Sequence, residues 1–290
     1  LPTFYLPGPS GDLEAVTDSS PILRRLERDR PGRSAIPSDP ALAFIDSLIE
    51  DYADEWLTKA MFHYRWAYQD DIDKAGAILP SWRGFSIPDD VLAERSEMIR
   101  SRQIGRLYVV GSNEVTGPVI EASYVRFLEA FEEVLRHQPF IMGGRPGASD
   151  FGVYGQLTQL AGFDPTPSAL TLKVAPRVSA WTGMMEDQSG LEPKDGDWLD
   201  IRNPPPALLG LLREIGRVYP PVMLANAAAG SAGQPTFETT VEGQRWTQPT
   251  FPYQIKCLQW LRADRADLPA DARETVDGLL RQTGCDALFV

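Results

Sequence analysis

Hydrophobic residues recur every three or four positions along most of this 290-residue chain, which is the spacing of amphipathic helices. Two of these stripes are long, one from about Ala41 to Trp66 and one from Val115 to Arg136. The pattern predicts further helices over 89–107, 175–185, 208–229, 253–265 and 276–280. Because prolines remove backbone donors, the helix over 208–229 is expected to be interrupted at Tyr219-Pro220-Pro221.

Short strands are predicted near both ends of the chain. Leu1–Leu6 and Leu13–Val16 flank a turn, and Phe237, Thr239 and Val241 alternate ahead of a Glu-Gly turn. The stretch Asp70–Pro88 shows neither the three-to-four-residue spacing of a helix nor the alternation of a strand, and it is predicted to be irregular. The chain is therefore expected to be mainly α.

Phe140–Leu157 combines a tight turn, Gly143-Gly144-Arg145-Pro146, with the start of an apolar helix. Asp150 lies three residues after Gly147, where the acidic member of a capping box accepts hydrogen bonds from free backbone N–H groups. Gly147 has no side-chain oxygen, so half of the reciprocal box is expected to be missing. Asp150 is interpreted as a structural helix-start residue.

Composition narrows the possible functions. A net charge of −12 argues against binding to nucleic acid or to anionic membranes. Cys257 and Cys285 form no CxxC pair, and His63 and His137 have no partners at metal-ligand spacing, so no metal site is predicted. No apolar run has the length of a membrane span, and the expectation is a cytoplasmic protein.

Two motifs resemble the glutathione S-transferases. The turn and helix start resemble the folding motif of that family's helical domain, with matches at Gly143, Arg145, Pro146, Asp150 and Phe151 and a departure at Gly147. Leu-Pro-Thr, a hairpin and Asp-Ser-Ser-Pro-Ile are similar to the closing half of the family's thioredoxin-like domain. The tail is similar to extensions found in a bacterial-type branch.

The resemblance implies a mainly α fold: a glutathione transferase-like helical bundle, a partial thioredoxin-like segment before it and a small hairpin in the extension. The implied domains are 1–32, the partial thioredoxin-like glutathione-binding domain; 39–230, the helical domain; and 231–290, an extension packed on the helical domain.

The resemblance also implies glutathione as co-substrate. Leu1 and Pro2 fall where the family's cis-proline strand pairs with the cysteinyl part of glutathione, and Asp18 and Ser19 fall on the pair that binds its γ-glutamyl end. A hydroxyl and N–H groups at a helix N-terminus suit a carboxylate. The alternative is that Asp18 and Ser19 only cap the helix.

In the family, the helix matching 41–66 faces the dimer mate and the cleft for the electrophile. Phe62, His63 and Trp66 are therefore candidates for the electrophile side. For His63 we favour the alternative, a hydrogen-bonded residue of a core or interface helix.

The function that the resemblance implies is transfer of the glutathione thiolate to a small apolar electrophile by a homodimer. The activating Tyr, Ser or Cys is expected upstream of residue 1, so no catalytic residue is assigned and the question of enzymatic activity stays open. Alternatives are a non-catalytic binding or dimerisation module, or glutathione-dependent dehalogenation, isomerisation or disulfide reduction.

Overall fold

A computed structural model describes residues 3–30 and 32–290 as a mainly helical protein with a pair of short strands near each end. The strands are β1 Thr3–Pro7, β2 Leu13–Thr17, β3 Thr236–Val241 and β4 Gln244–Pro249. The helices are α1 Ser19–Asp29, α2 Pro40–Tyr52, α3 Thr58–Ala67, α4 Gln69–Ile78, α5 Asp89–Ile104, α6 Gly117–Leu135, α7 Ala148–Leu160, α8 Pro165–Val174, α9 Pro176–Met184, α10 Pro206–Ser231, α11 Pro252–Ala266 and α12 Ala270–Thr283. The predicted fold class is confirmed. Each strand pair is antiparallel.

The predicted helix over 41–66 is confirmed, with a π-helical turn, Ala53–Leu57, between α2 and α3. Asp39 starts α2, because its Oδ1 accepts hydrogen bonds from the N–H groups of Ala41 at 2.9 Å and Leu42 at 3.1 Å. Pro40 follows as the first helical residue, where its missing N–H is not needed.

Aromatic side chains of α2, α6 and α10 form the centre of the core. The Tyr52 ring lies 6.3 Å from that of Phe127 and meets that of Tyr219 edge-on at 5.9 Å, measured between centroids. Trp56 lies fully inside the fold and donates from Nε1 to Ser123 Oγ at 2.9 Å. The buried donor of this large ring is therefore satisfied.

The first turn of α7 receives its missing cap from α2. Asp46 Oδ2 accepts from the Ala148 N–H at 3.0 Å, and its Oδ1 accepts from the Ser149 N–H at 3.1 Å and hydroxyl at 2.6 Å. Asp150 accepts from the N–H groups of Gly147 and Ile141, both at 2.9 Å. Gly147 makes no side-chain cap, as expected, and the missing half of the box is supplied by a carboxylate from another helix.

The segment expected to be irregular, 70–88, instead contains α4 and a 3-10 turn, Leu79–Arg83. The prediction was wrong because the buried face of α4 is short and mixed, with Asp71 beside the small residues Ala75 and Gly76. Asp71 is fully buried and accepts from the Thr166 N–H at 3.1 Å and from its hydroxyl. A buried acid among small residues weakens the apolar pattern that marks a helix in the sequence.

The predicted interruption of α10 is also wrong, since the helix is continuous through Pro220 and Pro221. Proline fixes φ near a helical value, so its cost to the helix is a missing backbone hydrogen bond and the crowding of its ring against the preceding turn. Tyr219, Val222 and Pro220 are buried, and this packing holds the helix through the prolines.

The hairpin β3–β4, predicted from alternation, is confirmed. It packs on α10, and the Trp246 ring lies 5.5 Å from that of Trp56 between centroids. The helices α11 and α12 contact both α10 and α2. The division of the chain at 32, 39 and 230 stays a prediction. Within the described ranges, no helix combines the length and apolarity needed to cross a membrane.

Candidate functional site

A cavity of about 600 Å³ lies between the start of α1, the end of α2 with its π turn, and α11. This volume falls within the range of about 300–1,000 Å³ that is usual for small-molecule sites. Its lining includes carboxylates from the end of α2 and its π turn, and aromatic rings from α11 and the residue before it. We call the carboxylates of Glu50, Asp51, Asp54 and Glu55 the acidic wall.

The acidic wall belongs to a single helical segment. Asp51, Asp54, Glu55 and Thr58 are spaced three or four residues apart, so their side chains share one face. The π turn lies in the middle of this face. Such turns are rare and occur frequently at functional sites.

Asp18 and Ser19, predicted to bind glutathione, both line this cavity. Asp18 has a φ of 82°, and its side chain makes no capping hydrogen bond to α1. Its Oδ2 is buried with no hydrogen-bond partner among the described residues. A carboxylate oxygen in this state is destabilising unless a ligand supplies a donor. Leu1 and Pro2, the other two predicted contacts, lie outside the described residues.

Burial raises the pKa of each carboxyl group in the acidic wall. The pKa of Asp51 rises to about 8 and that of Asp54 to about 7, in both cases mainly through loss of solvent. Neighbouring carboxylates add to the rise, whereas the hydroxyl of Tyr219, which donates to Asp51, opposes it. Glu50 and Glu55 shift upward for the same reason. The wall therefore resists full ionisation when no cation is present.

Among the described residues that line the cavity, the positively charged side chains belong to α1 at its edge. Arg24 Nη2 lies 3.1 Å from Asp264 Oδ2 and donates to Ser47 Oγ at 3.0 Å. Arg28 lines the cavity one turn further along the helix. The two arginines are suited to bind a carboxylate of a ligand.

The aromatic side of the cavity comes from α11 and the residue before it. Phe251, Tyr253 and Trp260 line it, and the Tyr253 and Trp260 rings meet edge-on at 6.2 Å between centroids. Cys257 lies between them in sequence and is 5% exposed. Burial raises the pKa of its thiol far above the ordinary value, so it is held as a neutral group.

The residues predicted for the electrophile side do not line this cavity. His63 is 5% exposed and lies between Ser112 Oγ, 2.7 Å from Nδ1, and Glu121 Oε1, 2.9 Å from Nε2. These contacts are those of a hydrogen-bonded core residue. Phe62 and Trp66 pack near each other, with ring centroids 6.4 Å apart.

Sequence reasoning missed Asp51, Asp54 and Glu55, along with the aromatic rings of α11. The sequence does contain a feature that marks these acids. Four acidic residues, at 50, 51, 54 and 55, fall within six positions of a largely apolar helix. A charged run is usually a solvated face, but this one faces a cavity. Among the described residues, no group of three or more His, Cys, Asp or Glu is arranged to hold a metal ion.

The match to a known family lies in the helical part of the chain, and none of its residues lines the cavity. Residues 93–183 match the family model described as "Glutathione S-transferase, C-terminal domain". This match supports membership of the chain in the glutathione S-transferase superfamily, which the sequence motifs predicted. No curated protein and no solved structure matches the chain.

Proposed function

We propose that this protein binds glutathione in the cavity between α1, α2 and α11 and transfers its thiolate to a second, largely apolar substrate. The observation that carries the proposal is the buried, unpartnered Oδ2 of Asp18 at the start of α1. It lies beside Ser19 in a cavity large enough for a peptide-sized ligand.

The γ-glutamyl end of glutathione carries one ammonium and one carboxylate, and the start of α1 offers a partner for each. Asp18 is available to the ammonium. The hydroxyl of Ser19 and the free N–H groups at the beginning of α1 are suited to the carboxylate. Leu1 and Pro2 remain proposed contacts of the cysteinyl part.

The chemistry requires the glutathione thiol to lose its proton to solvent. The thiolate then forms an S–C bond to the electrophile while the leaving group departs with its bonding pair. A hydrogen-bond donor lowers the pKa of the thiol, whereas nearby carboxylates raise it. The acidic wall therefore does not activate the thiol, and none of the described cavity residues is assigned that role.

The test is the glutathione affinity of the full-length protein, measured by calorimetry. Asp18→Asn and Ser19→Ala are each expected to weaken binding at least about fivefold, the usual scale for one hydrogen bond to a charged group. Ser101→Ala, on the exposed face of α5, is the matched control and should bind like the wild type. Unchanged affinity in Ser19→Ala would show that the site assignment is wrong.

We further propose that the protein is a homodimer, as members of the family typically are. Exposed apolar side chains, including Trp82, Phe85 and Met98, follow α4 and continue into α5 and would be covered in an assembly. Sedimentation analysis is the measurement, and a strict monomer at micromolar concentration would count against this proposal.

A further inference from the structure

We propose that the protein has a second binding site, for an uncharged molecule of one or two aromatic rings, in a cavity that adjoins the first one at Arg24. This second cavity has a volume of about 320 Å³ and lies between α1, the start of α2 and the loop before α12. The proposed glutathione contacts Asp18 and Ser19 are not among the described residues that line it. The inference therefore does not depend on the proposed function.

The walls of the second cavity are mainly apolar. Side chains from five separate segments of the chain form them, including Leu23, Ile36, Ala43, Phe44, Ala148 and Leu268. Three of these residues, Phe44, Ala148 and Leu268, are buried. The Phe44 ring also packs on that of Phe289, with the centroids 5.7 Å apart. Because packing in the core holds these side chains, the apolar surface is formed before a ligand arrives.

The polar side chains at the second cavity already have partners within the protein. Arg24 Nη2 donates to Ser47 Oγ at 3.0 Å and to Asp264 Oδ2 at 3.1 Å. The carboxylate of Asp46 is held by the first turn of α7, and Glu50 accepts from a hydroxyl of α1 at 2.8 Å. A strongly polar ligand would have to displace one of these contacts to satisfy its own groups.

Charge at the second cavity also disfavours an ionic ligand. Among the described residues that line it, the carboxylates of Asp46, Glu50 and Asp264 outnumber the one guanidinium, that of Arg24, so an anion would meet net negative charge. A cation would lose its hydration on entry, and each of the three carboxylates already accepts a hydrogen bond. An uncharged molecule avoids both costs.

The volume of the second cavity sets the size of the ligand. In another protein, an engineered apolar cavity of about 150 Å³ holds one benzene molecule. The second cavity, at about 320 Å³, has roughly twice that volume. One ring or two fused rings therefore fit. Contacts with the apolar walls and the removal of the ligand surface from water would supply the binding free energy.

The location of the site is tested by calorimetric titration of the full-length protein with indole, which is uncharged and has two fused rings. Ala43→Leu fills part of the second cavity and is expected to weaken indole binding at least tenfold. Ala93→Leu, the same change on the exposed face of α5, is the matched control and should bind indole like the wild type. No indole binding at millimolar concentration, or unchanged binding in Ala43→Leu, would overturn the proposal.

The first cavity also has aromatic side chains, so a further variant separates the two locations. Trp260→Ala changes only the first cavity and should leave indole affinity within twofold of the wild type. Loss of indole binding in Trp260→Ala but not in Ala43→Leu would place indole in the first cavity and overturn the proposal.

Thermal unfolding shows whether each variant is folded. If Ala43→Leu is not, Leu23→Gln decides the matter, because it changes a half-buried side chain of α1 and puts a polar amide into the apolar wall. It is expected to weaken indole binding at least fivefold, and unchanged binding in this variant would contradict the proposal.

The class of ligand is tested with two charged analogues, indole-3-acetate as the anion and tryptamine as the cation. For each probe, the binding that Ala43→Leu weakens is the binding at the second cavity. At this cavity indole is expected to bind at least fivefold more tightly than either analogue. Equal or tighter binding of either charged analogue there would show that the site does not select an uncharged ligand.

Discussion

Gly147 and Asp46 form a pair in which the small residue makes room for the charged one. A Cβ at position 147 would lie 2.4 Å from Asp46 Oδ1, far inside contact distance. The Ser or Thr usual in the family would provide its own cap but would displace this carboxylate. The departure from the motif at Gly147 is therefore matched by a compensating residue on α2.

A double-mutant cycle tests this pairing. Asp46→Ala should lower the free energy of unfolding by about 1–3 kcal/mol, because two N–H groups of α7 lose a buried partner. Gly147→Ser should also destabilise the protein while Asp46 is present. Combined with Asp46→Ala, however, it should recover about 1 kcal/mol, since the serine hydroxyl then caps the helix.

Urea unfolding followed by circular dichroism gives the three values. Asp150→Ala, which removes the other cap of the same turn, serves as the reference and should cost roughly 1 kcal/mol or more. Strictly additive effects of Gly147→Ser and Asp46→Ala would show that the two residues are not coupled.

At the scale of elements, the helices that sequence periodicity identified are those packed through apolar stripes, such as α2, α3 and α6. The periodicity missed α4 and α8, and α10 was expected to break at its prolines. These segments are decided by tertiary contacts more than by local preference.

Pro221 is expected to lower the stability of the folded protein, because it lies inside α10. Pro221→Ala restores an N–H in the helix interior and is expected to raise the free energy of unfolding by about 1–2 kcal/mol, after the gain in unfolded-chain entropy is subtracted. Pro206→Ala, in the first turn of the same helix, is the control and should change stability little. Denaturant midpoints measure both, and destabilisation by Pro221→Ala would contradict the argument.

The candidate site was only partly predictable from sequence. Asp18 and Ser19 emerged from a motif, and the cavity contains both. Asp54 and Glu55 did not, because a charged run on a helix is ordinarily solvated. Their meeting with Tyr253 depends on a contact about 200 residues apart in the chain, which no local pattern encodes.

For the molecule as a whole, the buried acids link stability to pH. The folded-state pKa values of Asp51, about 8, and Asp54, about 7, exceed the ordinary value of 3.8. The groups facing them are the other acids of the wall, Asp18 at the start of α1, the Tyr219 hydroxyl of α10, the Gln156 side chain of α7 and the Cys257 thiol of α11. Between pH 4 and these values the folded state holds protons that the unfolded chain has released.

Stability should therefore be greatest in mildly acidic solution and fall as the pH rises through 7 and 8. A decrease of several kcal/mol in the free energy of unfolding is expected between pH 5 and pH 8, since each group contributes roughly 1.4 kcal/mol per pH unit below its folded-state pKa. Asp51→Asn keeps an acceptor for Tyr219 and should flatten this dependence, whereas Asp267→Asn, an exposed control, should preserve it. Urea titrations at both pH values measure it, and equal stability of the wild type would refute it.

The first turn of α7 is capped by Asp46 of α2 and not by a residue of its own segment, and this affects the order of folding. A serine at position 147 would stabilise the first turn of α7 within the same segment. Here the stabilising carboxylate lies 102 residues from Ala148. The first turn of α7 can become fully capped only after α2 has docked, so its start depends on closing a long loop.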